Sequence, residues 1–171
     1  MKRYLKIINN IIIQKRIDEL LSIIKKMHGE TNMKKNDPIS NIATKNVVSV
    51  QEGQKISDIR HAMRDNEIHH VPVVNGKRLV GMVSFTDMMK LDLMSNSGNE
   101  RSIDAILDHQ FSISDVMTSD LKTLDSKSTV RDVAEILSVN SFHSVPLVDA
   151  DNNLVGVVTS TDLIKYLCSQ Y

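Results

Sequence analysis

The sequence predicts an α+β fold: two β-α-β-β-α repeats related by a pseudo-twofold axis, preceded by an N-terminal helix. Three observations predict it. First, much of the chain recurs at a near-constant offset. Ile39-Ser40-Asn41-Ile42-Ala43-Thr44 matches Ile113-Ser114-Asp115-Val116-Met117-Thr118 at an offset of 74. The match is tightest at Ile68-His69-His70-Val71-Pro72-Val73-Val74 against Phe142-His143-Ser144-Val145-Pro146-Leu147-Val148. One extra residue then moves the offset to 75, where Leu79-Val80-Gly81-Met82-Val83-Ser84-Phe85-Thr86-Asp87 matches Leu154-Val155-Gly156-Val157-Val158-Thr159-Ser160-Thr161-Asp162. Second, two of the three prolines and two of the six glycines fall at equivalent places, which chance rarely produces. Third, strand and helix patterns follow one another in the same order in both copies.

The elements of the first copy can be taken in turn. Residues 47–50 read as a short strand. Residues 55–66 carry Ile56, Ile59 and Met63 at helical spacing. Residues 70–74 read as a strand, Asn75-Gly76 as a tight hairpin turn and residues 79–84 as the partner strand. A second helix is expected over residues 86–94. The second copy repeats the order, with residues 150–153 in the turn and a helix over 161–167. A unit of this size buries too little surface alone, whereas two copies sharing a core bury enough. A pseudo-twofold axis between them creates two equivalent clefts. Between the copies, residues 95–99 read as a flexible stretch. Residues 100–109 read as a short helix using Ile103, Ile106 and Leu107, which either carries a partner contact or simply crosses the module. The chain thus divides into a basic helical extension (1–36), a first repeat (37–95), a linker (96–112) and a second repeat (113–171).

Composition narrows the class. The 171 residues hold 21 Lys and Arg against 21 Asp and Glu, which argues against a dedicated nucleic-acid binder. A single Cys excludes an internal disulfide and a Cys-based zinc site. No apolar run reaches the roughly 20 residues of a membrane span. Nine Met and few aromatics point to an aliphatic, adaptable core. The chain is expected to be soluble and cytoplasmic.

Charge is unevenly spread. Residues 1–36 hold nine Lys and Arg against three Asp and Glu, and Asp37-Pro38 marks a boundary because Pro disfavours a continuing helix. Residues 4–28 read as helical, with Ile13, Ile17, Leu20, Ile24 and Met27 in a heptad-like stripe and Gly29 as a C-cap signal. Three readings stand for this helix. It dimerises or covers an exposed face of the module; it lies on a membrane surface; or it is translated upstream sequence, with Met33 the natural start. A signal peptide fits poorly, because Ile11-Ile12-Ile13 is flanked by Asn9-Asn10 and Lys15-Arg16.

The Pro-containing hairpin and its Gly-x-x-Ser/Thr-x-x-Asp ending, present twice in register, resemble the cystathionine β-synthase (CBS) domain. Two in tandem form a Bateman module. The resemblance covers residues 39–95 and 113–169. Ala43, Gln51 and Asp125 depart from the residues frequent in the family, and none of them touches the motif. The resemblance implies a module that binds adenine-containing ligands such as AMP, ADP, ATP or S-adenosylmethionine. It assigns ribose binding to Ser84 and Asp87 in the first copy and to Thr159 and Asp162 in the second. A carboxylate at a helix start accepts ribose hydroxyls, and the helix N-terminus suits a nearby phosphate. The same residue types cap helices for structural reasons alone, and the two roles are compatible.

The resemblance also places Thr44 and Ile68 at the adenine end of the cleft served by Asp162, and Thr118 and Phe142 at that of the cleft served by Asp87. Phe142 can stack on a base whereas Ile68 can only cover it, so the clefts are expected to differ in affinity. The resemblance puts His69, His70, His143 and Ser144 at the phosphate-facing positions. A metal site is not expected from these histidines, because no His-x-x-x-His or carboxylate-rich loop accompanies them. Capping of a backbone carbonyl by a buried or rim histidine is the other reading.

No catalytic constellation is visible: there is no Walker loop and no Gly-x-Ser-x-Gly. The expected function is therefore a non-enzymatic regulatory module, requiring no cofactor, with an adenine nucleotide as its ligand. A homodimer and an unknown regulated protein are its expected partners. The alternative is a ligand-independent interaction or dimerisation module with vestigial clefts.

Overall fold

The computed structural model describes residues 36–95 and 100–170. The predicted N-terminal helix, the Gly29 cap and residues 96–99 lie outside them. The described fold is α+β and repeats itself. After a 3-10 turn at Ile39–Asn41 come β1 (Val50–Gln51), α1 (Ile56–Asp65), β2 (His70–Asn75), β3 (Arg78–Ser84) and α2 (Phe85–Ser95). The helices α3 (Glu100–Gln110) and α4 (Ile113–Val116) follow. The second copy then gives β4 (Leu124–Asp125), α5 (Val130–Val139), β5 (Ser144–Val148), β6 (Leu154–Thr159) and α6 (Ser160–Ser169).

Each copy builds a three-stranded sheet, β1-β2-β3 and β4-β5-β6, with one parallel and one antiparallel pairing. Registers are equivalent: Val71 faces Val83 as Val145 faces Val158. Both hairpins shift register at the same place, between Val73 and Val74 and between Leu147 and Val148. The proline of each middle strand is tolerated although it donates no ladder bond: its third-strand partner, Met82 or Val157, turns its backbone groups to the crossing segment, and the first strand begins only opposite the next residue, Val73 or Leu147.

Two expectations are corrected. The strand expected over 47–50 is reduced to Val50–Gln51, which pair with Val73 and Val74. Its first residues have no ladder partner, because the chain just before them is committed to the other copy. The hairpin turn is centred on Gly76-Lys77, since Asn75 still pairs with Arg78. Gly76 has φ +64 and Lys77 does not have a positive φ, the pattern of a type II′ turn, which matches the twist of the flanking strands.

The two copies are interlocked by their leading segments. Ile39, at the start of the first copy, is fully buried in the second copy's core with Val133, Val145, Leu147 and Val158. Ile113, at the start of the second, is fully buried in the first copy's core with Ile59, Val71, Val73 and Val83. Each segment then bridges the other copy's third strand. Thr44 and Val157 exchange two backbone hydrogen bonds of 2.9 and 3.0 Å, as do Thr118 and Met82. The hairpin ends also meet, with Leu79 N–H donating to Asn152 O and Leu154 N–H to Lys77 O, both at 3.0 Å.

The helix between the copies packs on the first. Leu107 of α3 is fully buried in that core, and Ile103 packs against it. Asp108 accepts from the Ser57 amide (2.9 Å) and hydroxyl (2.8 Å), satisfying the first turn of α1 with a carboxylate that suits a helix N-terminus. Asp104 pairs with Arg60 and with His61 Nε2.

The exchange explains the two glycines of the repeated motif. A Cβ at Gly81 would overlap the Met117 side chain, and one at Gly156 would stand 3.2 Å from Thr44 O. The close approach of the incoming segment therefore demands glycine on each third strand. Gly81→Ala is expected to destabilise the fold by about 1–3 kcal/mol through overpacking. Adding Met117→Ala should recover part of that loss, so the two changes are non-additive in thermal unfolding. Strictly additive losses would contradict the packing described.

Candidate functional site

Each hairpin delivers its last residue into the start of a helix, and the same local geometry forms twice. The Ser84 amide (3.1 Å) and hydroxyl (2.5 Å) both donate to Asp87 Oδ2, while the Asp87 amide donates back to Ser84 Oγ at 3.3 Å. Thr159 and Asp162 repeat the arrangement at 2.8, 2.7 and 3.3 Å. Each is a reciprocal capping box that satisfies orphan amides of the helix start. The same box also forms at Ser112-Asp115 and Thr129-Asp132, none of which lines either cleft. The motif's position at the end of the hairpin, and not its residue types, is what brings it to a cleft.

Two clefts flank the interlocked copies. One, of 540 Å³, is lined by Thr44 and Ile68 of the first copy and Thr159 of the second, with His69, His70 and His143. The other, of 440 Å³, is lined by Ser84 and Asp87 of the first copy and Thr118 and Phe142 of the second, with His70, His143 and Ser144. The structure thus gathers eleven of the twelve sequence-identified residues on cleft walls. Asp162 is the exception: it does not line the cleft itself and is hydrogen-bonded to the wall residue Thr159. Ser144 is buried, and its hydroxyl donates to Met82 Sδ at 3.4 Å.

His70, Ser84, Thr86 and His143 line both clefts, so the clefts share a wall. The His69 ring meets Phe85 edge-on, with centroids 5.5 Å apart. Burial, reinforced by His69 and His143, holds the His70 pKa below the ordinary histidine value, against the opposing pull of Asp87. Burial opposes ionisation of Asp87, but hydrogen bonds from Ser84 and Lys90 outweigh it and leave this carboxyl below the usual range. Among the described residues, no group of three or more His, Cys, Asp or Glu is placed to hold a metal ion.

Sequence reasoning missed several wall residues. Asn46, Val47, Val48 and Glu67 line the first cleft, and Lys90, Asp120 and Lys122 the second. Lys90 carried a readable signal, three residues beyond Asp87 on a helix, and its Nζ lies 3.2 Å from Asp87 Oδ1. Glu67 also carried one, since it directly precedes Ile68, whereas the others reach the clefts because the leading segments cross between copies, and no local pattern announces that.

Residues 39–93 and 113–169 match the CBS domain family. The uncharacterised protein MJ1225 of Methanocaldococcus jannaschii is 29% identical over 137 residues, covering 77% of this chain and 47% of MJ1225. The chain therefore spans less than half the length of that curated relative. MJ1225's crystal structure superposes with a TM-score of 0.65. The complex of CBSX2 with AMP superposes with a TM-score of 0.65 at 20% identity, covering 78% of this chain and 97% of that one. CBSX2 is a CBS-pair protein from Arabidopsis thaliana. The CBS domain pair of MJ0100, in complex with 5′-methylthioadenosine and S-adenosyl-L-methionine, superposes with a TM-score of 0.65 at 23% identity, covering 80% and 99%.

The His70 shift fixes the sign of a pH effect. The unfolded chain protonates His70 first, near its ordinary value of about 6.5. The stabilisation from a neutral His70 is complete above that pH and is lost as pH falls through the lower folded-state value. In thermal unfolding measured at a series of pH values, His70→Gln should flatten the loss of stability below about pH 6.5. An unchanged slope would show that His70 is not held neutral.

Proposed function

The chain belongs to the CBS domain family, as a tandem pair, and on that premise we propose that it is a non-enzymatic regulatory module that binds adenine-containing ligands in its two clefts. One observation carries this reading: each cleft combines a capped helix start from one copy with a threonine and an apolar residue from the other. Ribose falls to Ser84, Asp87, Thr159 and Asp162; adenine to Thr44, Ile68, Thr118 and Phe142; phosphate to His69, His70, His143 and Ser144. The capping boxes occupy Oδ2 of each aspartate. Oδ1 of Asp162 makes no hydrogen bond among the described residues, and Oδ1 of Asp87 meets only the exposed ammonium of Lys90, so both can accept from ribose hydroxyls. The AMP bound by CBSX2, and the methylthioadenosine and S-adenosylmethionine bound by MJ0100, support the ligand class.

A ligand in either cleft touches both copies, so its binding energy acts on their mutual arrangement. That is how such a module would report to a partner. Phe85 and Met89 of α2 and Ile164 of α6 are exposed apolar side chains, which favours a homodimer and a regulated protein as its partners. The same residues favour the second reading, an interaction module indifferent to ligand. In both readings the chain works in the cytoplasm without a cofactor.

Thermal unfolding separates the two readings. At a hundredfold excess over the dissociation constant, AMP, ADP, ATP or S-adenosylmethionine should add about 2.7 kcal/mol, which raises the Tm by about 5–11 °C for a chain of this size. Replacing Asp87 and Asp162 by Ala should lower the melting point through the lost caps and abolish the ligand shift, with the far-ultraviolet circular dichroism retained. No shift with any adenine ligand would favour the interaction module. On light scattering, the dimer predicts twice the chain mass, and a monomer at high concentration would contradict it.

A further inference from the structure

The clefts are built alike and charged differently. Pseudo-twofold partners line them in pairs: Thr44 with Thr118, Ile68 with Phe142, Val48 with Lys122 and Glu67 with Ser141. In the Thr159 cleft, Glu67 is the one wall residue that carries a formal charge apart from histidine. Glu67 holds φ +53, in the left-handed region where Gly or Asn is the usual occupant, at the end of α1 and directly before Ile68. Its carboxylate has no hydrogen bond or ion pair among the described residues.

The Asp87 cleft instead presents Lys90 and Lys122 beside Asp87 and Asp120. Lys90 is engaged with Asp87, whereas the Lys122 ammonium and the Asp120 carboxylate have no partner among the described residues, so this cleft offers an available cation that the Thr159 cleft lacks. Lys165, the repeat counterpart of Lys90, is not on the wall of the Thr159 cleft. His70, shared by both clefts, is held toward its neutral form and so does not level the difference. Phosphate oxygens gain most from cationic donors and lose most from a facing carboxylate, and both effects are stronger in a cleft than in open water.

Resting on the adenine-ligand reading, we propose that the two clefts sort adenosine compounds by charge. The Asp87 cleft takes the phosphorylated nucleotide, through the unpartnered Lys122. The Thr159 cleft takes a cationic adenosine derivative, through the unpartnered Glu67.

Full-length chains with one cleft disabled test this by isothermal titration calorimetry. Asp162→Ala leaves the Asp87 cleft, and Asp87→Ala leaves the Thr159 cleft. ATP should bind the Asp162→Ala chain about tenfold or more tighter than the Asp87→Ala chain, a difference of about 1.4 kcal/mol. Adenosine should show a much smaller gap than ATP, set by Phe142 stacking on the base where Ile68 only covers it, and S-adenosylmethionine should reverse the ATP ranking. Added Lys122→Gln should weaken ATP in the first chain, and added Glu67→Gln should strengthen it in the second, with adenosine unmoved in both. Raising the salt from about 0.05 to 0.5 M should narrow the ATP gap. Equal ATP affinity in the two chains, or tighter ATP binding to the Asp87→Ala chain, would overturn the sorting while leaving the ligand class intact. Failure of every adenosine compound to bind the unsubstituted chain would overturn the ligand class and the sorting with it.

Discussion

The reciprocal exchange of leading segments is the constraint on which the remaining structure depends. Ile39 is fully buried in the second repeat's core and Ile113 in the first repeat's, so neither core closes without residues from the other copy. The backbone pairs Thr44–Val157 and Thr118–Met82 fix the crossing points. From those points follow the glycines of the third strands and the two clefts that the crossing segments help to wall. A repeat of this size would be marginal alone, and the exchange lets the two share one folding transition.

The helix starts serve the fold and the site with the same atoms. Each aspartate ties the last strand residue to the first helical turn through Oδ2 and leaves Oδ1 outside the capping box. A capping box of this kind holds the carboxylate in one rotamer, so a ligand that bonds it need not order it first. The depressed pKa of Asp87 keeps that carboxylate ionised at neutral pH, ready to accept from hydroxyl groups. The same box at Ser112 and Thr129 shows that it is a recurrent structural cap in this fold, two copies of which adjoin the clefts.

The repeat itself was legible because its matching residues are scarce types with backbone duties: Pro72 and Pro146 in middle strands, Gly81 and Gly156 under a crossing segment. Hydrophobic spacing placed α1 and α3 well, including Leu107 as a core residue of the helix between the copies. Periodicity failed at residues 47–50. Their apolar character reads as a strand, yet Val47 and Val48 line a cleft. The turn slipped by one residue because Asn-Gly suits a type I′ hairpin, whereas strand register put Gly76 first in a type II′ turn. The site was legible as far as the motif and its repeat extend. Lys122 and Asp120 escaped because the exchange of leading segments, which carries them to the cleft, leaves no local trace in the sequence, whereas Glu67 directly precedes Ile68 and was within reach.

Amide hydrogen exchange of the full chain with and without AMP tests most directly the claim that the interlocked segments make one ligand-responsive unit. The account predicts that the amides of Thr44 and Val157 and those of Met82 and Thr118 slow together when AMP binds, because each pair joins a cleft wall to the opposite repeat's sheet. Slowing confined to residues of a single repeat, with the crossing pairs unchanged, would contradict it.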